Sequence, residues 1–126
     1  MQNRILVVDD QADVRFLIRV TLELAGYRVA EAASGEEALV SLGEAAPDAM
    51  ILDLGLPGID GWEVLRQVRA DASLADLDVI VCSAYEGQAI VLRTMELGCV
   101  GFIAKPFDPA ELVALLESIR NPSALS

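Results

Sequence analysis

Five polar side chains stand at the ends of short apolar runs along the chain: Asp9, Asp10, Asp53, Ser83 and Lys105. Carboxylates about 4 Å apart repel each other by roughly 4 kcal/mol at an effective dielectric near 20, so three that meet require a counter-charge. Hard oxygen ligands suit Mg²⁺, and a carboxylate beside Mg²⁺ and a lysine can attack an incoming phosphoryl group. The metal and the lysine then neutralise charge on the phosphoryl oxygens. These residue types indicate Mg²⁺-dependent phosphoryl chemistry at an aspartate, provided that the fold brings them together.

Short apolar runs alternate with longer segments of helical period, which predicts five βα units. The predicted strands are residues 5–8, 28–32, 49–52, 79–82 and 100–104. Most are apolar throughout, as expected of strands covered by helices on both faces, whereas the second alternates and is expected at a sheet edge. The pattern predicts an α/β fold with a doubly wound, flavodoxin-like parallel sheet of order 2-1-3-4-5.

The segments between the predicted strands carry helix signals. Three capping-box-like starts pair an N-cap residue with a glutamate three positions later, namely Ser34 with Glu37, Asp60 with Glu63 and Asp108 with Glu111. Residues 88–97, closed by Gly98, form a fourth predicted helix with a less regular pattern. The first helix is predicted to stop at Gly26 and to bury a stripe formed by Val14, Leu17, Ile18, Thr21, Leu22 and Ala25.

This topology predicts where the polar side chains meet. In a parallel sheet every strand ends at the same edge, and ligands bind where the strand order reverses, here between the first and third strands. Asp9, Asp10 and Asp53 are expected at that point, with Ser83 and Lys105 beside them. Any one of these aspartates alone is adequately explained as a solvated strand-end acid. Five such groups in this order favour a functional site.

Length, composition and charge limit the class of protein. The 126 residues, of which 54% are hydrophobic, suit one domain at residues 1–120 with a tail or linker at 121–126. A net charge of −11 argues against direct contact with nucleic acid or anionic membrane. The chain has no histidine, which excludes Ser-His-Asp and Cys-His catalysis. Two cysteines in apolar stretches, no membrane-length apolar run and no signal-like N-terminus predict a cytoplasmic domain.

Four stretches of the chain resemble the receiver domains of two-component response regulators. They are residues 5–10 (ILVVDD), 53–61 (DLGLPGIDG), 83–84 (SA) and 105–107 (KPF). Each stretch is unspecific alone, but the four in this order and spacing are specific to that family. The resemblance covers residues 4–120 and therefore extends over nearly the whole chain.

The resemblance implies a role for each acidic residue that matches the family pattern. Asp53 corresponds to the phosphoacceptor, Asp10 to a direct Mg²⁺ ligand and Asp9 to an acid that holds the metal through water. The backbone carbonyl of Gly55 corresponds to a further metal ligand. Mg²⁺ is therefore the expected cofactor.

The resemblance also implies the residues that bind the phosphoryl group and report the switch. Ser83 corresponds to a hydroxyl that hydrogen-bonds the phosphoryl group, and Ala84 to a small neighbour that leaves room for it. Lys105 corresponds to the lysine that pairs with the phosphoryl oxygens, and Phe102 to an aromatic switch residue that is often tyrosine in the family. The Lys105–Pro106 peptide is expected to be cis, a form found in only about 5–6% of X-Pro bonds.

Two functions from different classes fit these residues. In the first, the domain catalyses its own phosphorylation on Asp53, and its dephosphorylation, with a sensor histidine kinase or a histidine phosphotransfer protein as the donor. Phosphorylation then shifts the fourth helix, fifth strand and fifth helix, residues 88–120, and controls a downstream output domain or protein. In the second, the chain is a Mg²⁺-dependent aspartyl-phosphate phosphohydrolase. The D-x-D-x-[TV] pattern of one such phosphatase family is not matched at residues 9–13 (DDQAD), and no substrate-cap insertion is visible.

Two apolar residues of the first helix, Phe16 and Val20, lie outside its predicted core stripe. They are four residues apart, so they face the same side, together with Arg15, Arg19 and Glu23. Isolated apolar surface residues are common and require no functional explanation. In the resembling family this helix contacts the histidine-bearing partner. We therefore predict that Phe16 and Val20 belong to a docking surface, either for that partner or for a second copy of the chain.

Overall fold

The computed structural model of the protein describes residues 3–84 and 87–120, which form a five-stranded parallel sheet with helices on both faces. The strands are β1 (Arg4–Val8), β2 (Arg28–Ala32), β3 (Ala49–Leu52), β4 (Asp78–Ser83) and β5 (Gly101–Ala104). Their order is β2-β1-β3-β4-β5, which confirms the predicted topology and the edge position of the second strand. In the register, Val8 lies beside both Ala32 and Leu52, so the strands end level at the site edge.

The helices follow the strands in strict alternation. They are α1 (Ala12–Leu24), α2 (Gly35–Glu44), α3 (Gly61–Ala70), α4 (Gln88–Glu96) and α5 (Pro109–Arg120), with a short 3₁₀ turn at Ala72–Leu74. Among the helices of the described segments, none has the length and apolar character needed to cross a bilayer. The predicted tail at residues 121–126 lies outside the described residues.

All three predicted helix starts are confirmed, and at two of them the cap bond goes to the glutamate three residues on. The Ser34 hydroxyl accepts from the Glu37 N–H at 3.1 Å, and Asp60 Oδ1 accepts from the Glu63 N–H at 2.9 Å. Asp108 instead accepts from the N–H of Ala110, two residues on, at 2.9 Å. All three satisfy an N–H group that the first helical turn would otherwise leave without a partner.

Two apolar layers hold the sheet between the helices. On one face, the sheet packs against α1 and α5 through Ile5, Val7, Ile51, Ile80, Ile18, Leu22, Leu112 and Leu116. On the other face it packs mainly against α2 and α3 through Leu6, Val8, Met50, Leu52, Ala38, Leu42, Val64, Leu65 and Val68. Complete burial of one such leucine or isoleucine stabilises the fold by about 1.5–3 kcal/mol relative to exposure. The strand ends that carry the polar residues are therefore fixed from both sides.

The buried face of α1 is narrower than predicted. Leu17, assigned to the core stripe, is 46% exposed, because the core direction is set by Ile18 and Leu22 and one helical step turns Leu17 about 100° away. Ala25 is also exposed, since it lies past the last helical residue. Val20, expected on the surface, is half-buried.

The start of the fifth strand also differs from the prediction. Val100 was expected to begin the strand, but β5 begins at Gly101 and Val100 is 44% exposed. The Val100 N–H still donates to the Val79 carbonyl at 2.9 Å, so the backbone approaches β4 one residue before the strand itself. The position of Lys105 after β5 is unaffected.

Candidate functional site

Asp9 follows the last residue of β1 and is held through several of its polar atoms. Its N–H donates to the Ala32 carbonyl at 3.2 Å, which continues the β1–β2 pairing. Its Oδ1 accepts from the Gln11 N–H at 2.9 Å, and its Oδ2 from Lys105 Nζ at 2.6 Å. The Asp9 carbonyl accepts from Arg15 Nη1 at 2.6 Å. With 2% of its surface exposed, the Asp9 carboxylate is fixed in a buried position.

Asp53 follows the last residue of β3 and points its carboxylate into the same place. Its N–H donates to the Val8 carbonyl at 3.0 Å, which ties the end of β3 to the end of β1. Its Oδ1 accepts from the Gly55 N–H at 3.0 Å, and its Oδ2 lies 3.3 Å from Lys105 Nζ. The residue is 7% exposed. One carboxylate oxygen thus faces its own loop and the other faces the lysine.

The backbone behind Asp53 requires glycine at Gly61. The Gly61 N–H donates to the Leu54 carbonyl at 3.1 Å, so the first residue of α3 lies directly on the loop that follows β3. A Cβ at Gly61 would collide with the Asp53 carbonyl and would lie 2.6 Å from Leu54 Cα. The sequence suggests only a glycine-rich turn here, whereas the structure shows a close approach of α3 to the Asp53 backbone.

Lys105 supplies a positive charge between two of the acids. Its N–H donates to the Ser83 carbonyl at 2.8 Å, which ties it to the end of β4, and its peptide bond to Pro106 is cis, as predicted. Partial burial by itself lowers the pKa of the Lys105 ammonium, but the hydrogen bond to Asp9 and the charges of Asp53 and Asp9 outweigh this effect. The net result is a raised pKa, so Lys105 is a stable cation at neutral pH.

Asp10 completes a cluster of three carboxylates. Asp9, Asp10 and Asp53 can each present an oxygen within 4.8 Å of the others, and Asp10 is the exposed member. One ammonium against three carboxylates leaves about two negative charges at the site. Oxygen donors with this surplus charge, open to solvent on the Asp10 side, suit Mg²⁺, a hard cation that takes oxygen ligands and retains several waters. The residues present therefore fit a Mg²⁺ ion.

The other predicted site residues lie within β4 and β5 or shortly after β3 and β4. Ser83 is completely buried as the last residue of β4, and Ala84 after it is exposed. Phe102 is half-buried in β5, where it pairs with Val81 of β4. Gly55 is exposed beside Asp53. Asp9, Asp53 and Lys105 are in direct contact, whereas Phe102 lies three residues before Lys105 along β5.

Arg15 is the site residue that sequence reasoning placed only on an exposed helix face. It lies one turn into α1, its side chain is 17% exposed, and it reaches the Asp9 carbonyl. The sequence signal that could have identified it is charge. Three acids with a single lysine favour a second cation nearby, and Arg15 is five residues from Asp10. The contact itself depends on the path of the loop from β1 to α1, which sequence does not specify.

The two cysteines take part in packing. Cys82 is 2% exposed and lies one residue from Ser83. Burial raises the pKa of the Cys82 thiol to about 12, against a smaller opposing effect of Lys105. Burial likewise raises the pKa of Cys99 to about 11. Since the thiolate is the reactive form, neither cysteine is prepared for nucleophilic chemistry at neutral pH.

Comparison with known proteins identifies relatives over nearly the whole chain. Residues 5–117 match the family described as the response regulator receiver domain. The phosphate regulon transcriptional regulatory protein PhoB of Pseudomonas aeruginosa is 37% identical over 115 residues, which cover 91% of this chain and 50% of that protein. The chain thus spans about half the length of the curated relatives that it matches.

Solved structures show the same fold. The chemotaxis protein CheY4 of Vibrio cholerae superposes with a TM-score of 0.88 at 28% identity, covering 94% of this chain and 99% of that one. The response regulator DrrB, described as a Thermotoga maritima OmpR/PhoB homolog, superposes with a TM-score of 0.87 at 28% identity. That alignment covers 98% of this chain and 54% of DrrB.

Proposed function

The chain belongs to the response regulator receiver domain family, and we propose that it is a phosphorylation-activated switch in which Asp53 accepts a phosphoryl group. The proposed donor, which the family resemblance implies, is a phosphohistidine of a sensor histidine kinase or of a histidine phosphotransfer protein. The observation that carries the proposal is the buried Asp53 carboxylate, held 3.3 Å from the Lys105 ammonium within a three-carboxylate cluster.

The proposed reaction is a direct transfer between the donor imidazole and Asp53. A carboxylate oxygen of Asp53 attacks the phosphorus, the P–N bond breaks, and its electron pair returns to the imidazole nitrogen, which takes up a proton. Lys105 already lies between Asp9 and Asp53 and can neutralise charge on the arriving oxygens. Mg²⁺, when held by Asp9, Asp10, Asp53 and the Gly55 carbonyl, supplies further charge neutralisation.

The remaining site residues have proposed roles in reading the phosphoryl group. Ser83, buried at the end of β4, donates its hydroxyl to a phosphoryl oxygen, and Ala84 leaves space above it. The acyl phosphate carries about −1.5 to −2 charges in place of the single charge of the Asp53 carboxylate, which draws Ser83 and Lys105 towards the new oxygens. Phe102, half-buried in β5, is the side chain proposed to turn inward in response.

The proposed output surface is formed by α4, β5 and α5, residues 88–120. Three apolar side chains on its α4 side are substantially exposed, Leu92 at 52%, Met95 at 61% and Val100 at 44%. A change in their arrangement would alter a surface that a downstream domain or protein can bind. Since PhoB is described as a transcriptional regulatory protein and this chain spans half its length, we propose a separate output unit in the same cytoplasmic pathway.

Amide chemical shifts test whether phosphorylation reaches this surface. We expect shifts at Asp53, at Phe102 and along α4 and α5 when the phosphorylated and unphosphorylated proteins are compared. Shifts confined to the surroundings of Asp53 would contradict the proposed switch. Trp62, the single tryptophan, supplies a second signal, since Arg93 of α4 lies over its ring at 4.6 Å from the centroid.

We also propose a docking surface for the phosphodonor on α1, centred on Phe16. Phe16 is 58% exposed, and the Arg19 guanidinium lies 5.4 Å from its ring centroid. Val20 contributes less than predicted because it is half-buried, whereas Leu17 is exposed. The variant Phe16→Glu should slow phosphorylation by the kinase but not by a small phosphodonor. Equal slowing by both donors would contradict a docking role, and concentration-dependent self-association would identify a second copy as the partner.

The number of phosphoryl groups incorporated separates the switch from a phosphohydrolase. We expect at most one acid-labile phosphoryl group per chain, in a reaction that requires Mg²⁺ and is lost in Asp53→Asn, which keeps the shape but removes the nucleophile. Asp10→Ala should weaken Mg²⁺ binding and phosphorylation together. Asp48→Asn, an acid at the opposite edge of the sheet, is the matched control and should be phosphorylated normally. Repeated turnover of phosphate esters would favour the phosphohydrolase instead.

A further inference from the structure

Arg15 contacts the backbone of the acidic cluster. Its Nη1 donates to the Asp9 carbonyl at 2.6 Å, and its Nε donates to Glu31 Oε1 of the edge strand β2 at 3.2 Å. The side chain is 17% exposed, so most of it is covered by the protein. A planar guanidinium presents its donors in a fixed fork. Arg15 therefore fixes the relative positions of α1, β2 and the loop that follows β1.

The contacted carbonyl belongs to the peptide unit that joins Asp9 to Asp10. This unit is planar, so a hydrogen bond to its oxygen restricts the rotation of the whole plane. The orientation of the plane determines the direction in which Asp10 leaves the backbone. The Asp9 side chain is itself held by Gln11 and Lys105, whereas Asp10 is exposed. The bond from Arg15 thus acts on the more exposed of the two neighbouring acids.

The charge of Arg15 and its hydrogen bond have opposite effects on a bound cation. A guanidinium beside a Mg²⁺ site repels the ion, and its removal should strengthen binding through charge alone. Loss of the hydrogen bond should weaken binding, because the Asp9–Asp10 unit would sample orientations in which the two carboxylates no longer converge. The sign of the change in Mg²⁺ affinity therefore distinguishes the two roles.

We propose that Arg15 is a positioning residue for the Mg²⁺ site, holding the Asp9–Asp10 peptide so that both carboxylates face Asp53, with Glu31 orienting the guanidinium. This inference rests on the proposed function, since it concerns the cation that the receiver reaction requires. Groups that orient metal ligands typically change metal affinity by 10- to 100-fold when removed. Arg15→Ala is accordingly expected to weaken Mg²⁺ binding by about tenfold.

The test is isothermal titration of the full chain with MgCl₂ alone, without a phosphodonor. Arg15→Ala is compared with Arg15→Met, which retains the length of the side chain, and with Arg19→Ala as the matched control. Arg19 carries the same charge on the same helix and approaches Glu31 Oε2 at 2.8 Å, but lies one turn farther from Asp9. Urea unfolding in EDTA establishes that each variant folds. The phosphorylation rate of each is then measured at low and at saturating Mg²⁺.

The expected result is weaker Mg²⁺ binding in both Arg15 variants and unchanged or slightly stronger binding in Arg19→Ala. The loss of phosphorylation in the Arg15 variants should also be greater at low Mg²⁺ than at saturating Mg²⁺. Unchanged or tighter Mg²⁺ binding in a folded Arg15 variant would overturn the inference and leave the proposed function standing. Absence of Mg²⁺ binding in the wild-type protein would instead refute the proposed function itself.

Discussion

Both edges of the sheet carry a cation between two aspartates. At the amino edge, where the strands begin, Arg120 of α5 lies 3.0 Å from Asp78 and 3.8 Å from Asp48. The three side chains are between 20% and 38% exposed. The Arg4 N–H also donates to Asp48 at 2.7 Å. This cluster joins the last helix to the starts of the central strands.

At the carboxyl edge, Lys105 lies 2.6 Å from Asp9 and 3.3 Å from Asp53. Here the side chains are only 15%, 2% and 9% exposed, and Asp10 adds a third carboxylate. Three carboxylates, two of them buried, lie near one ammonium here, whereas two half-buried aspartates lie near the Arg120 guanidinium at the amino edge. Each cluster has two ion pairs among the residues that the structure describes. The candidate cation site at Lys105 differs from the structural cluster at Arg120 in its burial and its surplus negative charge.

A cavity lies at the amino edge of the sheet, opposite the acidic cluster. This cavity of about 620 Å³ lies beside the starts of β1 and β2, bordered by Arg4, Arg28, Glu44 and Pro47. It contains none of the residues of the acidic cluster. The proposed chemistry depends on the side chains that follow the strands, and none of them borders this cavity.

The variants that remove Lys105 and Arg120 should differ most in the rate of phosphorylation. Lys105→Ala removes a charge that stabilises the phosphoryl oxygens, and we expect the rate with a small phosphodonor to fall by about 10²- to 10³-fold. Arg120→Ala should leave this rate within about twofold and instead lower the free energy of unfolding by about 1 kcal/mol. Rate measurements under saturating Mg²⁺ with urea unfolding of both variants check this. Equal rate losses would mean that the two clusters are not functionally different.

Mg²⁺ should stabilise the protein through the carboxyl edge alone. At a concentration 100-fold above its dissociation constant, a ligand that binds only the folded state adds about 2.7 kcal/mol. In Asp10→Asn this gain should shrink because Mg²⁺ binds more weakly, while the metal-free protein becomes more stable because one repelling charge is removed. Asp48→Asn should show the reverse, a loss of stability with the Mg²⁺ gain retained. Urea unfolding with and without Mg²⁺ measures the metal-free stability and the Mg²⁺ gain of each variant. An undiminished gain in Asp10→Asn would contradict the assignment of Asp10 to the Mg²⁺ site.

The carboxyl and amino edges should also differ, by less than in the two preceding predictions, in how their contribution to the free energy of unfolding depends on pH. The pKa of Lys105 is raised above the ordinary 10.5 of an unfolded chain, so its ion pairs contribute fully below pH 10.5 and are lost as the pH rises through the folded-state pKa. Arginine side chains in general remain charged over this range. The stability difference between wild type and Lys105→Met should therefore be constant from pH 6 to pH 9 and shrink only in strong alkali. A change near pH 7 would indicate a different titrating group.

Sequence alone predicted the elements and the edge where the polar residues gather, because both follow from local patterns. Apolar runs specify the strands, and the polar residues that follow them mark their ends: Asp9, Asp53, Ser83 and Lys105. The alternation of apolar and polar residues in 28–32 predicted that this strand is the outermost one. These features depend on chemical type and spacing. The same reasoning yielded the strand order through the rules for parallel sheets.

The remaining features depend on contacts between distant parts of the chain. The exposure of Leu17 depends on how α1 rotates about its axis as it packs beside α5, and the helical period alone fits more than one rotation. The bond from Arg15 to the Asp9 carbonyl depends on the path of one loop. The approach of Gly61 to the Asp53 backbone depends on where α3 begins above the sheet. None of these contacts is specified by a pattern in neighbouring residues.

Identification of the phosphorylated residue tests the central claim most directly. The full chain is incubated with a phosphohistidine donor, with and without Mg²⁺, and the acyl phosphate is reduced with borohydride, which converts a phosphorylated aspartate to homoserine. Peptide mass spectrometry should then find homoserine at position 53 only in the Mg²⁺ sample, and nowhere in Asp53→Asn. Homoserine at another aspartate, or labelling at position 53 that is independent of Mg²⁺, would contradict the assignment of this edge as a metal-dependent phosphoacceptor site.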